Sequence, residues 1–370
     1  MEKTTILTTM PKKSNKKITV LLTAAGGIGA TSYIDCLKNN YENRKVRVVC
    51  SDVFDQPIMH YKADSFHLLP RGNSKKYIKS LIRLCKKEKV NVVIPCNGSE
   101  VFAISKKLNL LNSKKIYANV PNYSVIKKTR NKFLVFKFLR ENTIPVPDFY
   151  LVHNKREFVE ALESLNYPTR PVCFKPANYF ASDGSRGFRI LRKNNSIGDI
   201  ILNHKPGFPE IDYETSLRLF ERKNFELLVM EYLPGKEYSM HVLAKNGKMI
   251  FNSFFHKKKA LQGHSLESII EKRKDLNTIA NKIVSIMNYS YNMNIQLRLS
   301  QKGQPKVIEI NPRMGGGISL PTAAGINLPY MAVKMALHEK LPKKQMIRKT
   351  KLLRYWKELF VSNNKSFEYS

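Results

Sequence analysis

The sequence predicts a mixed α/β and α+β chain: a parallel α/β unit first, then a unit in which antiparallel strands and helices combine. Three observations carry this. Across residues 18–110, short apolar runs rich in valine and isoleucine alternate with stretches of helical periodicity, the pattern of a parallel sheet covered by helices on both faces. Further on, Asn246-Gly247 sits between two strand-like runs, a strong hairpin signal. Finally, residues 294–299 and 307–311 both alternate and are joined by a short loop, so they can pair antiparallel.

Length and charge bound the function. The 370 residues, 42% of them hydrophobic, supply two or three packed units at roughly 100–200 residues each. Lys+Arg is 64 and Asp+Glu 29, a net charge of +35, which attracts nucleotides, nucleic acid and acidic membranes. The basic residues are spread along the chain, with no arginine-rich block, zinc finger or RNA-binding aromatic motif. A generally Lys/Asn-rich composition accounts for them, and a nucleic-acid partner is not expected. The five cysteines, Cys36, Cys50, Cys85, Cys96 and Cys173, are scattered through mostly apolar runs. They read as reduced core residues of a cytoplasmic protein, with neither zinc spacing nor a disulfide framework. Residues 1–17 form a polar, basic tail without an apolar signal core. No apolar run approaches the ~20 residues of a membrane span.

In chain order, residues 18–23 are a first strand, ending in Ala24-Ala25-Gly26-Gly27-Ile28-Gly29, and a helix follows through Leu37. The glycine turn invites a dinucleotide reading, but that fingerprint wants Gly-x-Gly-x-x-Gly. From Gly27 the chain supplies Gly29 and then Ser32, with Asp52 near the place of a ribose-binding acid; such a turn serves many anions. Residues 47–50 are a second strand. Residues 76–88 are an amphipathic helix with Ile78, Leu81, Ile82 and Leu84 or Cys85 on one face. Residues 90–95 are a buried strand and 101–110 a helix.

Past Pro121, Ser124 can cap a helix running through Lys132 to Leu139, with Phe133, Phe136 and Leu139 on its apolar face. Ile144-Pro145-Val146-Pro147 forces an extended connector. Residues 158–165 are helical, 170–176 a strand bearing Lys175 near its end, and 188–191 another strand. The small residues between those strands, 181–187, read either as a flap whose backbone approaches phosphates or as an ordinary turn. Residues 226–232, 238–244 and 249–255 are strands. His256-Lys257-Lys258-Lys259 is a solvated edge or an anion clamp. Residues 267–290 read as one helix, with Ile269, Ile270, Ile279, Ile283 and Ile286 or Met287 on its stripe.

In the strand 307–311, alternation sends Ile308 and Ile310 into a core and Glu309 with Asn311 to the opposite side, and Pro312 ends the strand. Asn294, Gln296 and Arg298 share one face of the preceding strand, so Gln296 could lie beside Glu309 and Asn311. Two oxygen donors on a rigid strand suit Mg²⁺, and a fixed guanidinium at Arg313 can meet an anion. A solvated edge strand is the plainer alternative.

In this order the motifs resemble the ATP-grasp superfamily, in particular its carbamoyl-phosphate-synthetase-like members and the small carboxylate–amine ligases built like them. The likeness spans roughly residues 18–340. It rests on Met230-Glu231-Tyr232-Leu233-Pro234-Gly235-Lys236-Glu237-Tyr238-Ser239, on Asn294-Ile295-Gln296, and on Ile308-Glu309-Ile310-Asn311-Pro312-Arg313, with Lys132 and Lys175 upstream and Ala323-Ala324-Gly325-Ile326 downstream. The resemblance implies a pre-ATP-grasp domain over 18–120 and a two-lobed ATP-grasp domain over 121–340 with a mobile lid at about 150–230. Basic tails, 1–17 and 341–370, flank them. It implies that Lys132 and Lys175 hold ATP phosphates under a flap containing Ser182, Gly184, Ser185 and Gly187. Glu231, Tyr232 and Leu233 match the adenine hinge, and Glu237 the ribose-binding acid. Gln296, Glu309 and Asn311 match the ligands of Mg²⁺, with Mn²⁺ as a substitute, and Arg313 matches the arginine that steadies the transferred phosphoryl group. Gln296 departs from the acid many relatives carry, the flap has few glycines, and His241 replaces a common acid.

The chemistry so implied is ATP-dependent activation of a carboxylate as an acyl phosphate and its capture by an amine or thiol. Two alternatives stand beside it: a phosphotransferase or carbamate-forming enzyme, and an ATP-grasp-derived protein that binds polyanions. Asn97, Ser99 and Glu100, at the end of a parallel strand where ligands gather, are candidate substrate contacts, as are Lys258, Lys259, Gly315 and Gly316. The positive charge favours anionic small-molecule substrates. A homodimer is compatible with the sequence.

Overall fold

The computed structural model describes residues 17–27, 29–129, 131–177, 187–193, 196–203, 209–221, 226–261, 263–343, 345–363 and 365–368. They fall into two compact units. One comprises the described residues of Met1–Val120, Met314–Arg348 and Tyr355–Ser370, the other those of Pro121–Arg313 and Lys349–Arg354.

In the first unit, β1 (Ile18–Thr23), β2 (Val46–Asp52), β3 (Ser65–Leu68), β4 (Val92–Pro95) and β5 (Tyr117–Ala118) are all parallel, in the order β3-β2-β1-β4-β5. Strands β1 and β4 are buried along their whole length, as expected for central parallel strands covered on both faces. The helix expected at 101–110 is two, Gly98–Lys106 and Leu108–Ser113, with Lys107 between them. The returning helix Leu328–Ala336 is buried throughout. It is tied in by Asn327 Nδ2, which donates to the Cys36 carbonyl at 2.6 Å, and by a buried Lys334–Glu42 ion pair.

The second unit holds two sheets among the described residues. The smaller joins β6 (Phe149–Val152), β7 (Val172–Pro176), β8 (Arg189–Leu191), β9 (Glu210–Ile211) and β10 (Leu227–Glu231) in the order β6-β10-β7-β8-β9. The larger joins β11 (Glu237–Lys245), β12 (Lys248–Leu261), β13 (His264–Ile270), β14 (Tyr291–Leu299), β15 (Pro305–Asn311) and β16 (Lys351–Leu353) in the order β15-β14-β11-β12-β13-β16. The β11–β12 turn is formed by Asn246 (φ 49°) and Gly247 (φ 74°), the two left-handed residues a type I′ turn requires.

Three further expectations are corrected. Residues 267–290 are not one helix: His264–Ile270 is a strand paired with β12, and the helix is Lys274–Ile286. The adjacent β-branched Ile269 and Ile270 suit the strand that the 14-residue β12 needs as its partner. The helix expected from Ser124 to Leu139 is two, Tyr123–Thr129 and Lys132–Glu141. Asn131 caps the second, its side chain accepting the Leu134 N–H at 3.1 Å; asparagine competes for backbone N–H groups and so starts helices. Lastly, β15 does not alternate strictly. Its register moves from Gln296↔Glu309 to Leu297↔Val307, so Ile308 is an extra residue in a bulge and Val307, not Ile308, joins Ile310 in the core.

One face of the larger sheet packs Tyr238, Met240, Val242, Phe254, Met293, Ile295, Leu297, Val307 and Ile310 into a core with Leu276, Ile279 and Ile283 of the Lys274–Ile286 helix. The opposite face carries polar residues on β11, β14 and β15, with Phe255 and Ile270 among the polar residues of β12 and β13. Glu309, Gln296, Ser239 and Phe255 lie in one cross-strand row, and Asn311, Asn294, His241 and Ser253 in the next.

Candidate active site

The polar face is built strand by strand. Gln296 lies opposite Glu309, and Asn294 opposite Asn311. Asn294 Nδ2 donates to Ser239 Oγ at 2.7 Å, and Gln296 Nε2 to Asn294 Oδ1 at 3.4 Å. These bonds fix the amides around Glu309. The bulge turns the Ile308 carbonyl outward, where it accepts a hydrogen bond from Lys175 Nζ at 2.9 Å. Lys175 comes from β7 of the smaller sheet, so this bond joins the two lobes of the unit. Lys132 is the first residue of its helix and its backbone N–H donates to the Ala177 carbonyl at 2.9 Å. Thr129, Lys132, Val135, Phe136, Lys175, Ile308, Glu309 and Ile310 line one pocket.

Charge is tightly arranged there. Burial pushes the Glu309 carboxyl up, but Lys175, Lys132, a hydrogen bond from Asn311 and Arg313 outweigh it, and the group sits below its ordinary range. Burial lowers the Lys175 ammonium and Glu309 partly restores it. Asn311 Oδ1 is buried with no hydrogen-bond partner within the protein. A charged carboxylate beside an orphaned amide oxygen fits a hard cation such as Mg²⁺. Gln296 adds a neutral donor.

At the inter-lobe segment, the Glu231 carboxylate pairs with Lys306 and accepts the Asp148 N–H at 3.2 Å. The Tyr232 ring lies under two guanidinium groups, Arg192 at 4.8 Å and Arg298 at 5.3 Å. Leu233 is buried. Glu237 accepts from Lys257 Nζ at 2.6 Å and lies opposite Arg298. Gly187 has φ +74°, and a Cβ there would come 2.7 Å from Pro176 Cδ, so the chain passes close behind Lys175. Ser182, Gly184 and Ser185 lie outside the described residues.

The structure therefore brings Lys132, Lys175, Gln296, Glu309 and Asn311 together. Lys258 and Lys259 do not join them. Both are exposed, and Lys258 stands 3.9 Å from Glu267. Lys257 takes the inward position, and the alternation Ser253-Phe255-Lys257 was the signal that could have found it. In the other unit, Asn97 caps the Gly98–Lys106 helix by accepting the Glu100 N–H at 2.9 Å and the Ser99 hydroxyl at 3.0 Å. Glu100 is buried and accepts from Thr23 Oγ1 at 2.5 Å. The Gly315 carbonyl accepts from Tyr33 at 3.1 Å, and Gly316 packs against Gly29. No helix among the described residues is long and apolar enough to cross a membrane.

No curated protein matches the chain significantly. Residues 223–358 match the family "ATP-grasp in the biosynthetic pathway with Ter operon", and residues 20–118 match "PylC-like, N-terminal domain". Solved structures share the fold at low identity. N5-carboxyaminoimidazole synthetase from Staphylococcus aureus, solved with ADP, is 17% identical with a TM-score of 0.63, covering 90% of this chain and 81% of that one. The biotin carboxylase domain of 2-oxoglutarate carboxylase from Hydrogenobacter thermophilus, solved with MgADP, ADP and bicarbonate, is 17% identical with a TM-score of 0.62, covering 87% and 70%. The L-amino acid ligase of Bacillus licheniformis is 15% identical with a TM-score of 0.58, covering 88% and 75%. Both family models match in order along the chain, so residues 20–118 are identified with the PylC-like N-terminal domain and residues 223–358 with the ATP-grasp superfamily.

Proposed function

We propose that the protein is an ATP-dependent ligase that activates a carboxylate as an acyl phosphate and joins it to an amine. The observation that carries this is the cluster of Gln296, Glu309 and Asn311 on two adjacent rows of one sheet face, with Glu309 lining a pocket together with Lys175 and Lys132. A carboxylate is a poor electrophile, and phosphorylation gives it a leaving group. Its oxygen attacks the γ-phosphorus while the bond to the β-phosphate oxygen breaks and ADP departs. The amine nitrogen then attacks the acyl carbon, phosphate leaves, and the nitrogen loses its proton.

The first step depends on position and charge neutralisation more than on a protein nucleophile. Lys132 and Lys175 hold the phosphates, Glu237 takes the ribose hydroxyls, and the backbone around Glu231, Tyr232 and Leu233 meets adenine. Arg313 opposes charge that develops in transfer. Glu309 and Asn311, with Gln296 beside them, would hold Mg²⁺, which supplies charge neutralisation on the phosphates. Val135, Phe136 and Ile310 give the pocket dry walls, which protect an acyl phosphate from water.

ADP release measured across candidate acids and amines tests the reading. Wild type is expected to release ADP only with a matched pair, and Glu309→Ala to reduce the rate by about a hundredfold or more, in the range seen when a transition-state charge contact is lost. Unchanged turnover in Glu309→Ala would sink the assignment. A second reading, carbamate formation on bicarbonate, is favoured by the likeness to carboxyaminoimidazole synthetase and to a biotin carboxylase solved with bicarbonate. Bicarbonate-stimulated ADP release without an organic acid selects it.

A further inference from the structure

We propose that the polar face of the β11–β12–β13–β16 half of the larger sheet is a pocket for a second anion. The acid substrate is then one that carries a further carboxylate or phosphate, held by Lys257 and Arg354. This rests on the ligase reading and names the class of its acid substrate.

Opposed residues of an antiparallel pair share a face. Lys257 opposes Ser268, and Ser268 opposes Leu352. The Arg354 N–H donates to the Leu266 carbonyl at 2.8 Å, so the ladder runs one step past β16. Arg354 thus falls on the face of Leu266, Ser268 and Lys257. The same face carries His241 opposite Ser253. Ser253, Ser268 and His241 are at most 1% exposed. Both hydroxyls and both imidazole nitrogens lack a hydrogen-bond partner within the protein. Burying such a group is costly unless something meets it, so three on one face point to a ligand.

Charge says which ligand. Among the described residues, this face carries the carboxylates Glu237 and Glu309 and, among its cations, Lys257, Arg298 and Arg354, with Arg313 just beyond Asn311; Lys306, opposite Arg298, is paired with Glu231. Glu309 is committed to Lys175 and Lys132, and Glu237 takes one hydrogen bond from Lys257 at 2.6 Å, which leaves the ammonium's other donors and the Arg354 guanidinium to meet an anion. Two imidazoles register how closely the cations gather. His241 is pushed down to about 3 by burial, then by Lys257 and Arg313. His264 is lowered by burial, then by Arg354, Lys257 and Arg313. A strip of cations and hydroxyl donors complements an anion, and an arginine fork matches carboxylate or phosphate. Arg354 arrives on the segment Lys349–Arg354, which follows the ATP-grasp motifs in sequence and returns to add the edge strand.

Calorimetric titration of the full-length protein with MgADP bound tests this. The probes are succinate against butyrate and phosphoglycolate against glycolate. The member of each pair with the second anionic group is expected to bind at least tenfold tighter than its matched monoanion. Arg354→Gln is expected to bring the ratio close to one, and Arg354→Lys to retain part of it, with circular dichroism confirming that both variants fold. Tighter succinate assigns dicarboxylates, and tighter phosphoglycolate assigns phosphate esters. Equal binding within both pairs, no binding of any probe, or an unchanged ratio in both variants overturns the proposal. The readout is equilibrium binding, whereas the ligase reading stands or falls on ADP release, so the two failures are distinguishable.

Discussion

His241 is the least accommodated side chain on the polar face: buried, with both ring nitrogens unpartnered and the ring stacked on Phe255 at 5.6 Å. Burial, with Lys257 and Arg313, lowers its pKa from the ordinary 6.5 to about 3. The sign follows from proton binding. Between pH 6.5 and 3 the unfolded chain binds a proton at this position and the folded chain does not, so stability falls as pH falls, at up to ~1.4 kcal/mol per pH unit. Urea unfolding at pH 7.5, 6 and 5 is expected to show wild type losing stability faster than His241→Phe below pH 6.5. Parallel curves would contradict the neutral, buried imidazole. At this scale the sequence was readable wherever strict alternation held. Alternation put Gln296 on a face that could meet Glu309, and the strand register supplies the pairing, whereas Lys257 was hidden in a run of three lysines whose phase depends on how far β12 extends.

Among the elements, the hairpin was legible and the helix starts were not. Asn246-Gly247 has one favourable structure, and it formed. The Ile308 bulge leaves no mark in Val307-Ile308-Glu309-Ile310, because an extra residue is defined by the partner strand; yet it aims the Ile308 carbonyl at Lys175. The break between Tyr123–Thr129 and Lys132–Glu141 was missed because the apolar period runs through it, although Asn131 carries the capping signal. That cap also sets where Lys132 begins its helix. Asn131→Ala is expected to cost about 1 kcal/mol in urea unfolding and to weaken ATP binding severalfold by calorimetry. A stability loss with ATP affinity unchanged would show that the cap does not position Lys132.

For the whole molecule, long-range returns decide what sequence order conceals. Met314–Arg348 packs with the N-terminal unit, where Arg44 meets Glu339 at 2.8 Å, and Lys349–Arg354 then adds β16 to the larger sheet. No local period announces either return, since both are fixed by contacts between residues far apart in the chain. The order of motifs, by contrast, was fully visible, and it is what makes acyl phosphate formation the central claim. The most direct measurement uses the acid that stimulates ADP release, labelled with ¹⁸O in its carboxylate, followed by mass analysis of the phosphate released. An acyl phosphate route predicts one ¹⁸O atom in each phosphate, because the carboxylate oxygen that attacks the γ-phosphorus leaves with it. Phosphate free of label, with amide product still formed, would contradict the account.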